Sequence, residues 1–66
     1  MPLINVIQPP GQSVEQKRDL LRALTDAYVQ ATGAHRDSVW VTILETPRED
    51  WAVGGQTLAE RAAGAR

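Results

Sequence analysis

Pro2 is the residue of this 66-residue chain whose type and position point most directly to chemistry. It follows the initial Met1, and its small side chain permits removal of that methionine. The sequence therefore predicts that Met1 is lost and that Pro2 carries a free secondary amine. An ordinary α-amino group titrates near about 7.7–8.0. An alkyl secondary amine is intrinsically more basic, and burial or a nearby cation lowers it. A neutral prolyl nitrogen near pH 7 is a compact, rigid base or nucleophile. The plain alternative is that Pro2 only opens an edge strand.

Other chemistry-bearing side chains are sparse. Cysteine is absent, which removes disulfides and cysteine-based metal sites, and the single His35 cannot build a zinc site alone. No metal and no cofactor is expected. His35 reads as a surface loop residue. Arg36 and Arg48 flank the second strand described below, and Arg61 lies near the carboxyl end. Each reads first as a solvated surface charge and second as an anion clamp.

Three elements must position these groups. Pro2–Gln8 alternates as a strand, with Ile4 and Val6 on one face and Leu3, Asn5 and Ile7 on the other. Both faces are mostly apolar, so both are expected to be covered. Asn5 could line a pocket beside Pro2 or bond across the sheet. Pro9-Pro10-Gly11 ends the strand. Ser13-Val14-Glu15-Gln16 reads as a capping box opening a helix to about Thr32, with Gly33 as its stop. Leu20, Leu24, Ala27, Tyr28 and Ala31 share a helical stripe, with Leu21 beside it. Val39–Glu45 is the second strand, with Val39, Val41 and Ile43 on one face and Trp40, Thr42 and Leu44 on the other. A long helix between two strands predicts a parallel βαβ unit. After a loop at Thr46–Asp50, Trp51–Leu58 predicts a hairpin turning at Gly54-Gly55. Ala62–Arg66 reads as a tail prone to fraying.

Composition bounds the function classes. Seven Lys+Arg against eight Asp+Glu, a net charge of −1, leave no basic footprint for nucleic acid. Hydrophobic residues at 42% and charged residues at 23% describe a globular chain. No apolar run is long enough for a membrane span or a secretory signal, so a cytoplasmic protein with no membrane partner is expected. Chains below about 70–80 residues seldom bury enough surface to stand alone. Without disulfide or metal, oligomerisation is expected of the single domain 1–66.

Taken together, Pro2 at a strand start, Ser13-Val14-Glu15-Gln16-Lys17 opening a long helix, Ala31-Thr32-Gly33-Ala34 closing it, Glu45-Thr46-Pro47 and Trp51-Ala52-Val53-Gly54-Gly55 closely resemble the 4-oxalocrotonate tautomerase family. The resemblance covers residues 2 to about 61. It implies a small α/β subunit of βαβ type with a short carboxyl-terminal hairpin, dimers as the minimum unit and a hexamer as the usual assembly. It also implies a cofactor-free amino-terminal proline that moves protons between positions of enols and unsaturated keto acids. That role falls on Pro2, and a pocket-wall aromatic falls on Trp51. Two substrate-binding arginines of well-known members fall on Gln12 and Trp40, and Pro9 replaces a usual apolar residue. Arginine offers a charged bidentate fork, Gln12 a neutral amide and Trp40 an indole N–H.

The resemblance implies a tautomerase with Pro2 as catalytic base and Gln12, Trp40 and Trp51 as substrate-binding residues. The substrate is a small keto or enol acid, unsaturated or aryl, and the less charged pocket favours the aryl kind. Two alternatives stand beside it. One is a non-catalytic oligomer or ligand-binding protein of this fold. The other is a proline-dependent hydratase, dehalogenase or decarboxylase.

Overall fold

The computed structural model describes Met1 to Gly64. β1 (Leu3–Gln8) and β2 (Trp40–Glu45) pair in parallel, with Leu3 opposite Trp40, Asn5 opposite Thr42 and Gln8 opposite Glu45. α1 (Val14–Thr32) connects them. The architecture is the expected small α/β, βαβ unit. Each strand begins one residue later than the sequence pattern suggested, since Pro2 and Val39 precede the ladder.

The ends of α1 follow from local chemistry. The Gln16 N–H donates to Ser13 Oγ, and the Gln16 side chain accepts from the Ser13 N–H, so two orphan donors are satisfied reciprocally. At the other end Gly33 adopts φ 73, a left-handed cap whose N–H reaches the Val29 carbonyl. The sheet-facing stripe differs from the sequence expectation. Leu20, Leu21, Leu24 and Tyr28 are half-buried, as are Lys17, Thr25 and Val29, whereas Ala27 and Ala31 are exposed. The small side chains on the stripe's flank stay exposed; the threonine and valine on its other flank are half-covered.

Beyond β2 a 3-10 turn at Arg48–Asp50 leads into β3 (Ala52–Val53), which pairs antiparallel with β4 (Gln56–Thr57). The hairpin turns at Gly54-Gly55 as expected, and both take positive φ, 63 and 84, which selects glycine in such a two-residue turn. α2 (Leu58–Gly64) follows and packs on the 3-10 turn. This helix departs from the expected frayed tail. Its signal was present, because Thr57-Leu58-Ala59-Glu60 is a second capping box: Glu60 N–H donates to Thr57 Oγ1 at 3.0 Å, and Thr57 N–H donates to Glu60 Oε1 at 2.8 Å. Ala62, Ala63 and Gly64 belong to α2, and the rest of the expected tail lies outside the described residues.

The two sheet faces differ. Ile4, Val6, Val41 and Ile43 are half-buried, while Leu3, Ile7, Trp40 and Leu44 are 61%, 53%, 53% and 54% exposed. α1 packs against β2, and the outer face of the single chain is open, although its composition calls for cover. Not one described residue is fully buried. The radius of gyration is 15.4 Å, against roughly 11 Å for a compact chain of this length.

Candidate active site

Pro2 sits just before β1. Its carbonyl accepts from the Trp40 N–H at 2.9 Å, so the ladder itself brings Pro2 and Trp40 together at one end of the strand pair. Pro2 is half-buried, and its nitrogen is an amide while Met1 is attached. The Trp40 indole belongs to the open face, across from Leu3. Asn5 takes the cross-sheet option, its Oδ1 accepting from Thr42 Oγ1 at 2.7 Å in the middle of that face.

Gln12 and Trp51 stand at the other end. Gln12 lies in the loop leaving β1, where the Gln8 side-chain amide donates to its Oε1 at 2.9 Å. That bond leaves the Gln12 NH2 group as the donor it can offer a ligand. Trp51 ends the 3-10 turn and is half-buried, its carbonyl accepting from the Leu58 N–H at 2.8 Å. Two further contacts brace this end. Lys17 Nζ meets Glu45 Oε2 at 3.0 Å, tying the start of α1 to the end of β2. Arg48 Nη1 donates to the Pro10 carbonyl at 3.2 Å, tying the Trp51 turn to the Gln12 loop. The sequence analysis did not foresee these ties, since each joins residues far apart in the chain.

The parallel arrangement has a direct consequence. β1 spans six residues, so the Pro2–Trp40 end and the Gln12–Trp51 end of one chain are separated by about 17 Å. That span exceeds a small keto acid. One chain does not bring its four candidate residues together, and its described residues enclose no pocket. Among the described residues no group of three His, Cys, Asp or Glu side chains could hold a metal ion. No helix among them is long and apolar enough to cross a membrane.

Comparison with known proteins agrees with this geometry. The model of the tautomerase enzyme family matches residues 2–61. A 2-hydroxymuconate tautomerase from Comamonas testosteroni is 35% identical over 60 residues, covering 91% of this chain and 95% of that protein. The crystal structure of TomN, a 4-oxalocrotonate tautomerase homologue in the tomaymycin biosynthetic pathway, superposes with a TM-score of 0.95 at 40% identity, covering 98% of this chain and 100% of that one. A heterohexamer 4-oxalocrotonate tautomerase from Chloroflexus aurantiacus superposes with a TM-score of 0.85 at 38% identity, over 91% and 97% of the two chains. In sequence, in the parallel βαβ fold and in the extent of the match, this chain belongs to the tautomerase family.

Proposed function

We propose that this protein, after loss of Met1, uses the Pro2 amine to ketonise the enol of a small 2-keto acid. The neutral amine takes the proton of the enol hydroxyl, and the resulting ammonium returns it to a carbon of the conjugated system as the C=O bond forms and the C=C pair shifts to that carbon. The negative charge of the intermediate enolate rests on its oxygen, where the Gln12 NH2 group or a backbone N–H stabilises it. The observation that carries this reading is the position of Pro2: it stands immediately before β1, half-buried, in a chain that family membership assigns to tautomerases.

The active form is a homo-oligomer. A dimer is the minimum and a hexamer the favoured assembly, in line with the heterohexamer relative. The separation of Pro2 from Gln12 and Trp51 within one chain supports this, because a site holding all of them needs at least two chains. The two tryptophans and the absence of charge at Gln12 and Trp40 favour an arylenolpyruvate, whose ring stacks on indole. The cytoplasm is the proposed location.

Two measurements test the reading together. Intact mass of the purified protein is expected to lack Met1. Replacing Pro2 with Ala leaves a flexible primary amine and is expected to lower ketonisation of phenylenolpyruvate at least about tenfold, part of the about 10²–10⁴-fold that acid–base catalysis contributes. Retained Met1, or equal turnover by Pro2→Ala, excludes Pro2 as the proton shuttle.

A further inference from the structure

The carboxylate of a keto acid needs a donor, and the three cationic side chains with acidic neighbours are already neutralised. Lys17 pairs with Glu45, Arg22 with Asp19, and Arg36 with Asp26. Arg18, Arg48 and Arg61 form no ion pair among the described residues. Arg18 lies on the exposed surface of α1 and Arg61 on that of α2. Arg48 is exposed as well, but it is tied to a second loop. It stands three residues before Trp51, and its Nη1 donates to Pro10 O, two residues before Gln12. The nearest acid on β2, Glu45, is held by Lys17. Glu49 and Asp50 share the 3-10 turn with Arg48, and neither lies within ion-pair distance of it.

We propose that Arg48, held between the Gln12 loop and Trp51, is the residue that binds the substrate's carboxylate. This rests on the tautomerase reading above. One N–H of the guanidinium is spent on the Pro10 carbonyl, which limits the side chain's freedom. The four remaining N–H donors are enough for a bidentate grip on one carboxylate. The cost of ordering the side chain is thus partly met before ligand arrives. A single cation at this place suits a monocarboxylate and leaves the second carboxylate of a dicarboxylate unpaired, which is costly to desolvate. Arg48 therefore also acts as a specificity determinant.

The test uses binding rather than turnover, with phenylglyoxylate as a 2-oxo acid that cannot enolise and its methyl ester as the uncharged control. Calorimetry compares the assembled wild type with Arg48→Ala, Arg48→Gln and Arg18→Ala. Loss of a charged hydrogen-bonding pair is expected to weaken acid binding at least about tenfold in both Arg48 variants. Ester binding and the Arg18→Ala variant are expected to stay within about twofold of wild type. Arg48→Gln keeps an amide donor for Pro10 O, so it separates the lost charge from the lost loop tie. Equal weakening of acid and ester, no weakening, no binding of the acid by wild type, or failure of both Arg48 variants to assemble overturns the proposal. Arg48-dependent acid binding by a wild type inactive on phenylenolpyruvate upholds the anion site and overturns the tautomerase reading instead. Activity with Arg48-independent binding does the reverse.

Discussion

At the scale of single residues, the proposed chemistry rests on the Pro2 nitrogen, which is a base only once Met1 is lost. On the substrate side, the expected departure from the well-known family pattern is the loss of two arginines. If Gln12 and Trp40 stand where two arginines bind a dicarboxylate, wild type prefers an arylenolpyruvate to 2-hydroxymuconate in kcat/KM. The double variant Gln12→Arg, Trp40→Arg is expected to reverse that preference by tenfold or more, since each charged hydrogen bond is worth about 1.5–3 kcal/mol. Circular dichroism and sizing establish first that the variant assembles, because the Trp40 side chain is also part of the open sheet face. A wild type that favours the dicarboxylate refutes the assignment of these two positions.

Elements set where those residues stand. Ser13 and Gln16 open α1 just after Gln12, so the same capping box that starts the helix fixes the end of the Gln12 loop. Gly33 closes α1, and a Cβ added there meets nothing within 4 Å, although φ is +73. A substitution at Gly33 therefore costs backbone conformation and not packing. Gly33→Ala is expected to destabilise by about 1–2 kcal/mol, and Gly33→Asn by less. Denaturant unfolding at one fixed protomer concentration measures both. Equal stability of the Ala variant and wild type rejects a left-handed cap at this position. At the carboxyl end the Thr57–Glu60 box starts α2, whose packing on the 3-10 turn stabilises the segment carrying Arg48 and Trp51.

The whole molecule is unfinished as one chain. None of its described residues is buried, and Leu3, Ile7, Trp40 and Leu44 lie open on one sheet face. In the proposed homo-oligomer a second copy covers this face. Leu44→Asp places an unpaired carboxylate in that face opposite Ile7. The variant is expected to sediment as a smaller, less stable species and to lose most ketonase activity, because the Pro2 end of one chain no longer meets the Gln12–Trp51 end of another. Light scattering and turnover at the same concentration measure this. An undiminished assembly removes the interface assignment, and an active monomer removes the shared site.

The sequence by itself determined the local elements and gave the reason for proposing Pro2 as the base. Two-residue alternation, Ser13 with Gln16, Gly33 and Gly54-Gly55 encode their geometry within a few neighbouring residues, and the structure reproduces them. The Thr57–Glu60 box was equally local and legible, though α2 went unread. Tertiary structure decided the rest. Which flank of α1 turns inward depends on the helix's rotation over the sheet, so Thr25 and Val29 displaced Ala27 and Ala31. The Arg48–Pro10 tie joins residues 38 apart, beyond the reach of any spacing rule. The parallel register puts Trp40 beside Pro2 and brings the chain leaving β2, with Arg48 and Trp51, to the Gln12 end, because both strands run the same way.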